Sequence, residues 1–158
     1  MIRILFLCHG NICRSPMAQF ILRDMAEKEG LSREISVDSA ATTSEEIGNP
    51  VYPPAARVLK EHGISCAGHV ARKMTRADYG RYDLLIGMDS ENIRDMQRIC
   101  GGDPEGKIRL LLEFAGRQDG EVADPWYTRD FSEAWRDIET GCRGLLEVLR
   151  KDRDCVVR

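Results

Sequence analysis

The stretch "CHGNICRSP" (8–16) sets a thiol, Cys8, and a guanidinium, Arg14, with five residues between them. A cysteine thiolate is a strong nucleophile, and a guanidinium fork can hold two oxygens of a phosphate-like anion. The pair suits attack on a bound tetrahedral oxyanion, provided that the fold aims both groups at one point. Displacement of an ester oxygen also needs a proton donor. Two Asp-Pro pairs supply a carboxyl, at 103–104 and 124–125, and only the second, in "ADPWY", is followed by aromatic residues. Either pair can be a plain turn. Trp126 and Tyr127, however, are suited to wall an aromatic group and to draw water away from Asp124.

The flanking residues say what positions this loop. "IRILFL" (2–7) is a short apolar run suited to a strand buried on both faces. Ser15 then Pro16 read as a hydroxyl N-cap and a first-turn proline, opening a helix over 16–29 that stops at Gly30. Further strands are expected at 34–40, 82–88 and 107–112, and further helices at 55–63, 90–99 and 131–151. The stretch 42–54 reads as a long loop. Residues 151–158 form a tail whose order the sequence does not determine. Alternating strands and helices predict one α/β domain over 1–158. Its core would be a four-stranded parallel sheet with helices on both faces, a Rossmann- or flavodoxin-like arrangement. Ligands in such sheets bind beyond the carboxyl ends of the strands, where residues 8–15 fall.

A loop between a strand and a helix N-terminus has free amides and a favourable dipole for anions. Gly10 permits unusual dihedrals there, so that successive amides turn inward as a nest. Cys8 below such a cradle is placed for in-line attack, with the thiolate favoured by the helix end and by Arg14. Cys8 taken alone reads rather as a buried strand-end thiol, and Arg14 taken alone as a surface residue. The joined pattern of strand, Cys-x5-Arg-Ser-Pro and helix start points to function.

Composition narrows the rest. The 158 residues, 42% hydrophobic and 31% charged, describe an ordinary globular chain. A net charge of −3 gives no general attraction for nucleic acid or for anionic membranes, so neither is expected as a partner. The N-terminal apolar run is too short for a signal peptide, and the chain reads as cytoplasmic. Its six cysteines, at 8, 13, 66, 100, 142 and 155, then read as thiols. There is no C-x-x-C pair, and Cys8 with Cys13 has no second pair of clustered ligands, so neither a metal nor another cofactor is expected.

The loop resembles the phosphate-binding loop of low-molecular-weight protein tyrosine phosphatases. The likeness continues through "DSAAT" (38–42), "IGNP" (47–50), "HVAR" (69–72), "MD" (88–89) and "DPWY" (124–127). It implies hydrolysis of phosphotyrosine in proteins, and of aryl phosphates, through a cysteinyl-phosphate, with inorganic phosphate as product. It implies Cys8 as nucleophile, Arg14 as anion clamp and Asp124 as general acid and then base. His9, Gly10, Asn11, Ile12, Cys13 and Ser15 would surround the phosphate, with Trp126 and Tyr127 along the substrate. Ser39 and His69 match positions that support the loop, and Ser15 matches one that donates to the Cys8 sulfur. Cys13 matches a partner for a reversible disulfide with Cys8, or is a small residue packed under the loop. Asp89 follows the third strand and is assigned to ordering the loop. Trp135 reads as core and His62 as a helix C-terminal cation. A monomer or weak dimer is expected.

Two residues depart from the family pattern. His9 is more polar than the leucine often found there, and Glu45 stands where some relatives carry an aromatic wall residue. A carboxylate there repels a dianionic substrate or selects one with a basic neighbour. Four rivals share the loop chemistry. Protein arginine phosphatases have threonine at the position of Ile12. Arsenate reductase needs a close redox pair, whereas Cys100 stands alone. A phosphocysteine carrier or a non-catalytic binding module has no use for Asp124.

Overall fold

The computed structural model describes residues 1–157, with side chains as far as Asp152; the side chain of Cys155 lies outside the described residues. Four strands, β1 (Ile2–Cys8), β2 (Ile35–Ala41), β3 (Leu84–Gly87) and β4 (Ile108–Leu110), pair in parallel in the order β2-β1-β3-β4. Strand β1 is central, and residues 4–8 are all buried. Its alternation sends Ile4, Phe6 and Cys8 into one apolar cluster and Leu5 and Leu7 into another.

The larger cluster lies under α1 (Arg14–Lys28), α2 (Pro53–Glu61) and, near the C-terminus, a helix over Phe131–Val157. The smaller one is covered by a short helix, α3 (Asp78–Arg81), and by α4 (Ser90–Cys100). Helices therefore cover both faces of one sheet, and the chain is a single α/β domain. A one-turn helix, α5 (Pro125–Thr128), precedes the long C-terminal one, α6. Helix α6 runs to Val157, beyond residue 151 where the apolar spacing ends it. It lies so close to the 3-10 turn Leu111–Ala115 that a Cβ on Gly144 would come 2.0 Å from the Phe114 carbonyl oxygen. Trp135 is buried, as expected, with its ring stacked on His62 at 3.7 Å.

Several boundaries differ from the sequence reading. Helix α1 starts at Arg14, and its N-cap position is Cys13, without a side-chain cap bond. Ser15 is therefore no N-cap: it lies inside the first turn. The fourth strand is cut to Ile108–Leu110 because the chain tightens into the 3-10 turn, where Glu113 Oε1 accepts from Leu110 N at 3.1 Å. The short helices α3 and α5 have too few residues to show a period.

Candidate active site

Strand β1 ends on Cys8, and the chain turns through 9–13 before α1 begins. Neighbouring strand β2 carries Ser39 two residues before its end at Ala41, and β3 leads to Asp89 at the start of α4. The loop over 120–124 reaches the same edge, tied by a bond from Val122 N to Met88 O at 2.9 Å. These segments meet beyond the carboxyl ends of the strands, between β1 and β3, where the order reverses.

The 9–13 loop is held from behind by Asn11, which sits in the left-handed region at φ 60. Asparagine tolerates that conformation better than most residues, and here four hydrogen bonds hold it. Its Nδ2 donates to Ser15 Oγ at 2.8 Å and to Ser39 Oγ at 2.9 Å. Its Oδ1 accepts from Arg72 N at 3.2 Å, and its carbonyl from His69 Nε2 at 2.8 Å. Since a carbonyl only accepts, His69 carries its proton on Nε2. Burial lowers the His69 pKa, and the bond to Asn11 works against that shift. Ser39 in turn donates to Gln19 Oε1 at 2.5 Å. The positive φ of the loop falls on Asn11 and not on Gly10. What Gly10 provides is room, since a Cβ there would stand 3.1 Å from Glu46 Cγ.

Cys8 Sγ lies 3.0 Å from Ser15 Oγ and 3.4 Å from Ser15 N. Ser15 Oγ accepts from Asn11, and its own proton has two acceptors in reach, the Cys8 sulfur at 3.0 Å and the Ala40 carbonyl at 3.4 Å. Among the described residues, the amides of 9–14 donate to no protein acceptor. The Cys13 thiol is buried beneath the loop, and burial pushes its pKa far up, with Cys8 and Asp124 adding to the effect. Cys8 and Cys13 are both free thiols.

Arg14 is 2% exposed, a buried cation that must be matched. Its Nη1 donates to Asp89 Oδ2 at 2.7 Å and to Val122 O at 2.9 Å, which uses both protons of that nitrogen. Its Nη2 lies 3.5 Å from Asp124 Oδ2. The fork formed by Nε and Nη2 therefore remains for an anion. Burial opposes the Arg14 charge, but Cys8, Asp89 and Asp124 outweigh it and raise the pKa. Asp89 also caps α4, accepting from Asn92 N at 2.8 Å through its other oxygen. Its assignment to the loop thus becomes concrete, acting through Arg14.

Asp124 caps α5, its Oδ1 accepting from Trp126 N at 3.0 Å. A cleft of about 140 Å³ runs between this cap and the loop. Cys8, His9, Gly10, Ile12, Cys13 and Arg14 line one part of it. Glu45, Glu46, Asp124, Trp126 and Tyr127 line the rest. Trp126 leans on Tyr52, with ring centroids 5.1 Å apart, whereas Tyr127 is 82% exposed. The chain thus brings together Cys8, Arg14 and Asp124 with the expected wall, while Asn11, Ser15, Ser39 and His69 stand behind the loop.

Gln19, the Val122 carbonyl, Arg72 and Glu46 escaped the sequence reading. Gln19 had a visible signal, because it lies one helical turn beyond Ser15 on the same face of α1. Among the described residues, no group of three or more His, Cys, Asp or Glu side chains is placed to hold a metal ion. Nor, among them, is any helix long and apolar enough to cross a membrane.

A strand-end cysteine under a ring of free amides, closed by a pinned arginine, is the cleft of a cysteine-based phosphatase. Residues 3–155 match the family described as low molecular weight phosphotyrosine protein phosphatase. The chain is 41% identical to the low molecular weight protein-tyrosine-phosphatase YfkJ of Bacillus subtilis, over 97% of this chain and 99% of that one. The crystal structure of YfkJ superposes with a TM-score of 0.93, covering 96% of each chain. The human low molecular weight phosphotyrosine protein phosphatase is 36% identical, over 91% of this chain and 93% of its own. The chain belongs to the low molecular weight phosphotyrosine protein phosphatase family and is a hydrolase.

Proposed function

We propose that the chain hydrolyses phosphotyrosine in proteins, with Cys8 as nucleophile, Arg14 as phosphate clamp and Asp124 as proton donor and acceptor. The observation that carries this reading is that all three line one cleft, where Nε and Nη2 of Arg14 make no hydrogen bond to the protein among the described residues and Nη2 has only the Asp124 carboxylate at 3.5 Å. In the first step the Cys8 thiolate attacks phosphorus, an S–P bond forms and the P–O bond to tyrosine breaks. The Asp124 carboxyl gives its proton to the departing oxygen. In the second step Asp124, now a carboxylate, takes a proton from water as its oxygen bonds to phosphorus and the S–P bond breaks. The Ser15 hydroxyl donates to the sulfur as thiolate reforms, and inorganic phosphate leaves. The amides of 9–14 and the Arg14 fork stabilise the charge on the phosphoryl oxygens. Apolar Ile12 and the Trp126 face suit an aryl group.

Work in a reducing compartment such as the cytoplasm goes with this reading, since Cys8 must stay a thiol. A monomer or weak dimer is the form proposed. The test of the proton role is a leaving-group series on Asp124→Asn. Loss of a general acid removes roughly 10²–10⁴-fold in rate, so phenyl phosphate should slow by about that factor and an activated nitrophenyl ester far less. Equal slowing of both esters would remove Asp124 from that role.

A further inference from the structure

One wall of the cleft carries charge that the phosphoryl chemistry does not use. Glu45 is held by His9, whose Nε2 stands 2.8 Å from Glu45 Oε2, so the residue after the nucleophile fixes the opposite lip. The Glu45 side chain remains 65% exposed. Glu46 packs over Gly10, and its Oε2 accepts from Asn49 Nδ2 at 2.6 Å. Among the described residues, the second oxygen of each carboxylate has no hydrogen-bond partner. The cleft lining contains no Lys, and Arg14, its one Arg, is buried and turned to Asp89 and the anion loop. Protonation of His9 offsets one of the two carboxylates and leaves the other.

A substrate enters this mouth with its own negative phosphate, which the loop and Arg14 receive at the base. Its neighbouring residues meet Glu45 and Glu46. An acidic neighbour is repelled there, and a Lys or Arg is attracted. We infer that Glu45 and Glu46 are specificity-determining residues that select phosphotyrosine with a basic residue beside it. This inference rests on the phosphotyrosine reading above. The charges lie at the lip, away from the reacting atoms. They act alike on bound substrate and transition state, and the effect belongs in KM rather than kcat.

The experiment compares phosphotyrosine peptides that differ only in Arg or Glu beside the phosphotyrosine, on either side, at low ionic strength. The Arg peptide should have the higher kcat/KM by roughly fivefold, the scale of one exposed ion pair. The difference should reside in KM and shrink as salt is added. The double variant E45Q/E46Q should bring the ratio close to one, and E45R should reverse it. Glu45 is exposed and Glu46 half-buried in the loop, and glutamine keeps the size of each side chain and an oxygen for Asn49, so neither change disturbs the core. Turnover of both peptides by the wild type at equal kcat/KM, or a ratio that survives in E45Q/E46Q, would overturn the inference. Absence of turnover of both peptides and of nitrophenyl phosphate would instead overturn the phosphatase reading, and this inference with it.

Discussion

Asp89→Asn is a small change with a large expected consequence. The two oxygens of Asp89 serve different partners, Oδ2 accepting from Arg14 Nη1 at 2.7 Å and Oδ1 from Asn92 N at 2.8 Å. An asparagine has one carbonyl oxygen, so it can keep the helix cap or the guanidinium bond, not both. Whichever it loses then faces the amide NH2, donor against donor. Breaking a buried ion pair from one side costs about 3–5 kcal/mol. Asp89 is 19% exposed, and Arg14 retains Val122 O and the Asp124 carboxylate at 3.5 Å, so the lower end applies. We expect a loss of about 3 kcal/mol, or a fall in Tm of roughly 6–12 °C at this chain length. Phosphate should return part of that loss, because the bound anion supplies the missing counter-charge. Thermal melting of both proteins with and without phosphate reads the difference, and Asp24→Asn serves as a surface control. The deficit of Asp89→Asn should shrink as phosphate is added. A variant that melts with the wild type, or a deficit indifferent to phosphate, would refute this account of Arg14.

Two further expectations follow from the same geometry. Ser15→Ala removes the hydroxyl 3.0 Å from the Cys8 sulfur. A hydrogen bond to a charged group contributes about 1.5–3 kcal/mol, so release of phosphate from sulfur should slow roughly 10- to 100-fold. Rapid-mixing kinetics should then show a burst followed by slow turnover; no change in the second phase would sink the assignment. Burial raises the thiols of Cys13 and Cys142 above their ordinary 9.0, so both stay protonated in the folded chain and ionise first when it unfolds. Stability should therefore be complete below about pH 9 and fall above it, by about 1.4 kcal/mol per pH unit for each thiol. Urea denaturation between pH 8 and roughly 10.5 should show this slope, flatter in Cys142→Ala; an equal slope in that variant would contradict it.

The parts of the fold legible in the sequence were those with a strong local signal. The apolar run before Cys8 marked a strand buried on both faces, and the Cys-x5-Arg spacing with Ser15-Pro16 marked an anion loop opening a helix. Local chemistry misled where tertiary bonds decide the matter. Ser15 reads as an N-cap by type, yet its hydroxyl serves the Cys8 sulfur and Asn11, because the helix starts two residues earlier than expected, at Arg14. Gly10 reads as the residue that permits unusual dihedrals in the loop, yet it is Asn11 that takes the left-handed conformation, because four partners hold it there. The Val122 carbonyl, a main-chain group 108 residues from Arg14, leaves no mark in any residue type. Gln19 was readable by helical spacing from Ser15, but a glutamine on a helix announces no partner.

The central claim is that phosphorus is carried on the Cys8 sulfur. Acid quenching during turnover of an aryl phosphate, followed by mass spectrometry of the peptide containing Cys8 and Cys13, tests it directly. The account predicts one phosphoryl group on Cys8, none on Cys13, and none in Cys8→Ser, which should bind phosphate but not turn over. Turnover that persists in Cys8→Ser, or a phosphoryl group found on another residue, would contradict it.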